Sequence, residues 1–182
     1  DLERALVVGV ASSALFDLAE SDAVFREKGE EEYRAYQREH LNDVLAPGVA
    51  FPFIRRLLDL NALSETERLV EVVILSRIDP ETGMRVMRSV RSHGLDITRA
   101  IFMQGHAPYL YMGPLKMSLF LSANEADVRE ATELGFAAGH VVGRAVPDDG
   151  DADLRIASTS TAGWRATLPS ASSRTGGWRS IR

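Results

Sequence analysis

An apolar run near the start of the chain, Val7 to Leu15, limits the possible folds more than any other segment. It reads VVGVASSAL and changes abruptly to small residues at Ala11, Ser12 and Ser13. Such a run favours a buried parallel strand whose carboxyl end opens into a tight loop. In open α/β sheets, ligands bind at the carboxyl ends of the strands. The sequence therefore predicts a binding loop here, with serine hydroxyls where an enzyme often has carboxylates.

The remainder of the chain alternates strand patterns with helix patterns. Runs of β-branched and aliphatic residues predict three further strands, Val70–Leu75, Arg99–Met103 and Met117–Leu121. Helices are predicted over residues 21–29, 30–42, 53–60, 79–92 and 125–138. This alternation indicates an α/β fold with a doubly wound parallel sheet of Rossmann-like type. The first two helices are expected to form a small helical insertion at about residues 20–50.

The helix predicted over residues 79–92 has clear boundaries. Asp79 can cap its amino end, Pro80 suits the first helical position, and Gly94 suits the stop. The residues expected to face the core are Met84, Met87 and Val90. Three arginines repeat along the helix and form either a solvated outer face or an anion-binding stripe: Arg85, Arg88 and Arg91.

Composition narrows the class of protein. The 182 residues are 45% hydrophobic and 26% charged, which is ordinary for a globular protein with a core. A net charge of −5 argues against a general nucleic-acid binder. The absence of cysteine excludes disulfides and cysteine-ligated zinc. No apolar run is long enough to cross a bilayer, so we expect a cytoplasmic protein with no nucleic-acid or membrane partner.

Composition also divides the chain. Residues 1–146 are expected to form one α/β domain, and residues 147–157 an acidic linker with the start of another strand. From Ser158 to Arg182 there is no acidic residue, whereas Ser, Thr, Arg and Gly are frequent. This tail is predicted to be disordered.

Four segments in order, VASSALFD, EKGEEEYRAYQREHLND, LAPGVAFPF and SLFLSANEADVREA, carry a family resemblance. They resemble the cytosolic 5′-nucleotidase I family of the haloacid-dehalogenase-like phosphatases, over Leu6 to Ala157. The resemblance implies a haloacid-dehalogenase-like fold. It also implies Mg²⁺-dependent hydrolysis of nucleoside 5′-monophosphates through an aspartyl-phosphate, in which a carboxylate is the nucleophile.

The four phosphatase motifs implied by this resemblance are only partly present. Ser12 and Ser13 stand where an Asp-x-Asp pair is expected, and Ser76 stands at the second motif. Lys116 stands at the third motif, and residues 122–124 stand at the fourth. The candidate phosphate-binding residues are therefore Ser12, Ser13, Ser76 and Lys116, with no catalytic residue and no metal ligand assigned. Alternatively, the serines serve a tight turn or cap a helix, and the lysine is solvated.

Our hypothesis for the missing nucleophile is a shift of reading frame. Residues 157–162 read Ala-Ser-Thr-Ser-Thr-Ala. The codons GCC TTC GAC TTC GAC GGC encode Ala-Phe-Asp-Phe-Asp-Gly, and loss of one base gives GCT TCG ACT TCG ACG GC, which encodes the residues present. The chain is then a truncated, degenerate half of the enzyme. The pair Asp149 and Asp151 is spaced like the motif but lies in the polar linker.

Two functional hypotheses remain open at this stage. The first is a 5′-nucleotidase by descent, whose own chain lacks the catalytic Asp-x-Asp half. The second is a non-catalytic domain that binds a nucleotide or phosphate, or that mediates subunit contacts. In either case the expected small-molecule partner is a nucleoside monophosphate, and a homo-oligomer is possible because a truncated sheet exposes apolar surface.

Overall fold

The computed structural model describes residues 5–145, Gly150 and residues 153–154. Of the predicted linker, residues 147–157, the described residues are Gly150, Asp153 and Leu154. The whole tail over residues 158–182 lies outside the described residues.

A five-stranded parallel sheet forms the centre of the described region. Its strands are β1 Leu6–Val10, β2 Val70–Ser76, β3 Arg99–Phe102, β4 Leu119–Ser122 and β5 Ala138–His140. Their order across the sheet is β3-β2-β1-β4-β5, and every neighbouring pair is parallel. The predicted α/β class and parallel sheet are confirmed.

Strand β1 is the middle strand and is buried on both faces. Val8 lies opposite Val72 of β2 and Leu119 of β4, and it is 1% exposed. A side chain at Gly9 would place its Cβ 2.9 Å from the sulfur of Met117. The absence of a side chain at Gly9 therefore allows the segment before β4 to pack over the centre of the sheet.

Six α-helices connect the strands: α1 Ser12–Leu15, α2 Ala19–Lys28, α3 Glu30–Glu39, α4 Phe51–Asp59, α5 Pro80–Ser92 and α6 Glu125–Glu133. Short 3-10 helices cover Leu60–Leu63 and Pro108–Tyr111. The chain winds outward from β1 to β3 and then in the opposite direction from β4 to β5, so right-handed connections place helices on both faces. No helix in the described residues has the length and apolar character needed to cross a bilayer.

The predicted helical insertion consists of α2 and α3, which pack against each other as a helical hairpin (residues 19–39). Gly29 joins the two helices with a φ of 91°, a left-handed conformation that favours glycine. The hairpin rests on the core through α5. Its placement brings it to the carboxyl ends of the strands.

Two side chains of α5 were placed on the wrong face from the sequence. Met84, predicted to be in the core, is 49% exposed. Arg85, predicted to be on the outer arginine row, is buried at 7% exposure. The reason is that Gly83 lies directly over the ring of Phe102, which rotates Met84 outward. Arg85 then faces the helical hairpin and donates to Gln37 Oε1 at 3.2 Å.

The boundaries after β3 also differ from the prediction. Strand β4 begins two residues later than expected, at Leu119. Helix α6 ends at Glu133 rather than near Ala138, because Gly135 has a φ of 84° and stops the helix. Residues 138–140 form a fifth strand that the sequence analysis missed. Three residues with a central glycine give too weak a strand pattern.

We expect Asp79→Ala to lower the free energy of unfolding by about 1 kcal/mol, the usual value of an amino-terminal cap. The Asp79 carboxylate accepts from the backbone amides of Glu81 at 2.9 Å and Thr82 at 3.1 Å. Urea denaturation measures the loss, and Asp79→Asn is the control that keeps an acceptor.

The loss should depend on pH. Burial alone would raise the pKa of Asp79, but hydrogen bonds from Thr82 and Glu81 outweigh it and hold the pKa below its ordinary value. The stabilisation from the charged cap is complete above about pH 4 and is lost as the pH falls through the lowered pKa. Equal destabilisation at neutral and strongly acidic pH would contradict this origin.

Candidate functional site

The carboxyl edge of the sheet collects the polar residues that follow the strands. Strand order reverses between β1 and β4, and this is the place where ligands bind in doubly wound sheets. Ser12 follows β1, Ser76 ends β2, and Ser122 ends β4. The segment after β1 lies at the expected edge, but it forms the short helix α1 from Ser12 to Leu15 rather than the predicted loop.

Ser12 and Ser76 are in direct contact. Their hydroxyl oxygens lie 2.6 Å apart, and the residues are 2% and 4% exposed. Ser76 Oγ also accepts from the amide of Ile78 at 3.4 Å. Because buried hydroxyls are costly without partners, this pair stabilises the join between β1 and β2. Two of the predicted phosphate-binding residues are thus brought together below the surface.

An open pocket of about 880 Å³ lies above this edge, between the ends of β1 and β4 and the start of the helical hairpin. Its polar lining consists of Ser13, Asp17, Asp22, Asn124, Glu125 and Arg144. We call it the carboxyl-edge pocket. Ser13 is exposed in it, unlike its buried neighbour Ser12. The pocket therefore offers a hydroxyl, an amide and one cation among three carboxylates.

Of the three carboxylates of this pocket, Asp17 lies on the loop after α1, Asp22 lies on α2, and Glu125 begins α6. Asp17 accepts from the backbone amide of Ala19 at 2.9 Å. Asp22 is exposed as a residue, yet desolvation by neighbouring groups raises the pKa of its carboxyl. Arg26 opposes this shift and Asp17 reinforces it.

The residues at the fourth motif are used within the fold. Ser122 is fully buried, and its Oγ accepts from the amide of Asn124 at 3.1 Å. Asn124 Oδ1 accepts from the amide of Ala126 at 2.9 Å and caps α6, as predicted. Within residues 5–145 no group of three or more His, Asp or Glu residues is arranged to hold a metal ion. The Mg²⁺ implied by the resemblance therefore finds no fitting ligand set among the described residues.

Lys116, the fourth predicted phosphate-binding residue, does not lie at the carboxyl edge of the sheet. It precedes β4 by three residues, and the amide of the nearby Ser118 donates to the carbonyl of Val7 at 2.8 Å. The backbone of Lys116 therefore lies toward the amino edge of the sheet, whereas Ser76 lies at the carboxyl edge. The backbone does not bring Lys116 to the same edge as the serines.

An ion pair that the sequence analysis missed holds the carboxyl edge together. Arg77 Nε donates to Asp127 Oδ1 at 2.7 Å, and Nη2 donates to the same oxygen. Arg77 Nη1 donates to the carbonyl of Gly105 at 2.9 Å. The hydrogen bond to Asp127 raises the pKa of Arg77 above its ordinary value. One side chain thus connects the loops after β2 and β3 to α6.

The sequence indicates where Arg77 lies but not that Asp127 is its partner. Arg77 directly follows a predicted buried strand, which places it at the carboxyl edge. Asp127 lies in the first turn of α6, where an acidic residue is already explained by the helix dipole. Their pairing spans 50 positions and depends on the order of the strands.

We expect Arg77→Met to lower the free energy of unfolding by about 2 kcal/mol. The change leaves Asp127, whose side chain is 5% exposed, without its cation. The cost is below that of a fully buried pair because Arg77 is 36% exposed. Urea denaturation measures it.

The matched control is Arg38→Met, which removes an ion pair with Glu81 in which both side chains are exposed, at 55% and 42%. It should cost about 0.5 kcal/mol. Equal costs for the two changes would show that the Arg77 pair does not stabilise the edge.

Comparison with known proteins assigns a family. The sequence matches the 5′-nucleotidase family over residues 1–162. Human (Homo sapiens) cytosolic 5′-nucleotidase 1B is 29% identical over 140 residues, which cover 74% of this chain and 23% of the relative. The chain thus spans about a quarter of that relative's length.

A solved structure, the HAD domain of the effector protein Lem4 from Legionella pneumophila, is also similar. It shares 13% identity, covers 81% of this chain and 90% of its own, and superposes with a TM-score of 0.39. At this score the likeness supports no further conclusion. The family match over residues 1–162 shows that the chain belongs to the 5′-nucleotidase family.

Proposed function

We propose that residues 5–145 form a nucleotide-binding part of a 5′-nucleotidase, with a nucleoside 5′-monophosphate held at the carboxyl edge of the sheet. The observation that carries the proposal is the chemistry of the strand ends. Where β1 and β4 end, the open pocket is lined by the Ser13 hydroxyl, the Asn124 side-chain amide and the Arg144 guanidinium, while the residues that follow β1 or end β2 and β4 are the buried serines Ser12, Ser76 and Ser122 rather than carboxylates. These residue types suit binding of a phosphate ester more than attack on it.

Hydrolysis through an aspartyl-phosphate needs a carboxylate that reaches phosphorus. Asp17 and Asp22 line the pocket but lie in a loop and on a helix, and Asp17 already accepts from Ala19. Because the described residues lack a fitting ligand set for Mg²⁺, we derive no step through that metal. We propose that hydrolysis depends on groups outside residues 5–145.

The candidate phosphate-binding residues differ in how far they are exposed in the carboxyl-edge pocket. Ser13 is exposed in the carboxyl-edge pocket, and Arg144 supplies a cation to its lining. Ser12 and Ser76 lie below the surface and bond each other. We propose that Ser13 and Arg144 contact the phosphate, that Ser12 and Ser76 support the loop, and that Lys116 contributes least.

The missing nucleophile has a proposed source. A reading frame displaced by one base converts residues 157–162 into Ala-Phe-Asp-Phe-Asp-Gly. The composition changes at Ser158, after which the sequence has no acidic residue, and this change supports a nucleophile motif in the other frame.

We also propose a cytoplasmic location and self-association, each from a different observation. The name of the human relative, a cytosolic enzyme, supports a cytoplasmic location. Exposed apolar side chains at Leu134 and Val142, which are 57% and 69% exposed, support self-association.

We expect the present chain to release no phosphate from AMP in the presence of Mg²⁺. The version with the restored frame, extended by the DNA that follows in that frame, should release it. A colorimetric phosphate assay measures both, and the restored version with its first new aspartate changed to asparagine is the inactive control. Phosphate release by the present chain contradicts the proposal, and inactivity of both versions contradicts the assigned nucleophile.

We expect Arg144→Ala to weaken AMP binding about tenfold, because a cation–phosphate contact is lost. Adenosine, which has no phosphate, should bind both proteins equally. Isothermal titration calorimetry measures the affinities, and Arg91→Ala removes the same charge from an exposed position on α5. A similar loss of affinity with Arg91→Ala would show that the effect comes from the overall charge of the protein and not from a contact between Arg144 and the phosphate.

A further inference from the structure

A second cavity lies beside the carboxyl-edge pocket. It has a volume of about 460 Å³ and lies between the helical hairpin and the loops after β2 and β3. Phe25 and Tyr33 line it from the hairpin, and Ile78 and Gln104 line it from the loops. We call it the aromatic cleft.

Phe25 is an exposed aromatic ring at the mouth of the aromatic cleft. The residue is 50% exposed, although its neighbour Tyr33 is buried at 7%. Their rings meet edge to face, with centroids 5.6 Å apart and planes at 84°. Tyr33 therefore fixes the position of Phe25 while leaving part of its surface open to solvent. A fixed, exposed ring provides a surface on which a planar group can stack.

Gln104 lies across the cleft in an unusual backbone conformation. Its φ is 46°, which a residue other than glycine seldom adopts. The loop is held there because its amide donates to the carbonyl of Ile78 at 3.1 Å, and the amide of Gly105 donates to Arg77 at 2.6 Å. Within the described part of the chain, the Gln104 side chain forms no hydrogen bond. Its amide group offers one acceptor and two donors to the cleft.

The cleft adjoins the carboxyl-edge pocket at one shared residue. Asp22 lines both cavities. The ends of β1 and β3 are two strand spacings apart, about 10 Å. This spacing is comparable to the length of a nucleoside monophosphate.

Both cavities have three carboxylates and one arginine in their lining, so the state of the arginine decides which end of such a ligand enters the cleft. The cleft has three carboxylates in its lining, those of Asp22, Glu30 and Asp79. Its cation, Arg77, is already paired with Asp127. A phosphate in the cleft would be repelled, whereas an uncharged aromatic ring would not. The neutral end of a nucleotide fits the cleft, and the phosphate fits the side of Ser13 and Arg144.

We propose that the aromatic cleft is the nucleobase subsite, in which the base stacks on Phe25 and its polar edge bonds the Gln104 amide. Asp22, between the two cavities, accepts hydrogen bonds from the ribose hydroxyls. This assignment rests on the proposed function, because it places the base of the same nucleoside monophosphate. Glutamine amides pair with adjacent donor and acceptor atoms of a base edge.

The test compares AMP with ribose 5-phosphate, which keeps the sugar and phosphate but lacks the base. Calorimetric titration of the full 182-residue chain should show AMP binding at least tenfold more tightly. Phe25→Ala should remove about tenfold of AMP affinity and leave ribose 5-phosphate binding unchanged. Gln104→Ala should weaken AMP binding several-fold, again without changing ribose 5-phosphate binding.

Two further variants separate stacking from packing. Phe25→Tyr keeps an aromatic face and should bind AMP as the original chain does. Phe25→Leu keeps apolar volume without an aromatic face and should bind AMP weakly. Circular dichroism shows that each variant is folded, and Leu63→Ala, at a 75% exposed position outside both cavities, is the control.

The outcomes distinguish the two proposals. If neither AMP nor ribose 5-phosphate binds, the proposed function fails and the subsite fails with it. If AMP binds but Phe25→Ala weakens both compounds equally, or neither, the proposed function stands and the subsite is wrong. Selective loss of AMP affinity, restored by Phe25→Tyr, supports the subsite.

Discussion

The burial of β1 between β2 and β4 is the constraint on which the rest of the structure depends. Val8 and Val10 are almost completely buried, and each buried valine contributes about 1.5 to 3 kcal/mol. Because Gly9 has no side chain, the segment before β4 packs closely over this strand. The chain then winds to one side through β3 and to the other through β5. The reversal leaves a crevice at the carboxyl end of β1, where the candidate site lies.

Polar contacts within the fold keep this crevice open and ordered. The Ser12–Ser76 hydroxyl pair connects the ends of β1 and β2, and the Arg77–Asp127 ion pair connects two loops to α6. The helical hairpin then forms the opposite wall. The same edge thus has a rigid floor of satisfied polar groups and a wall of aromatic and carboxylate side chains. Such a division suits a site that positions a ligand.

The sequence predicted the features that depend on neighbouring residues. Strand β2 and the caps at Asp79 and Asn124 follow from local residue types, and all three are present. Features that depend on packing were not predictable. The rotation of α5, which exposes Met84 and buries Arg85, is set by the contact between Gly83 and Phe102. At the site, the segment after β1 was placed at the correct edge of the sheet, but it forms the short helix α1 rather than a loop. The Arg77–Asp127 pair and the aromatic cleft join distant segments, which one sequence without an alignment does not reveal.

Binding of a nucleoside monophosphate at the carboxyl edge of the sheet can be tested directly by two-dimensional NMR of the ¹⁵N-labelled chain titrated with AMP, because each backbone amide reports its own surroundings. We expect the amide signals that move to belong to the carboxyl-edge pocket and the aromatic cleft, including Ser13, Phe25 and Gln104. Movement confined to the amino edge around Lys116, or no movement at saturating AMP, would contradict it.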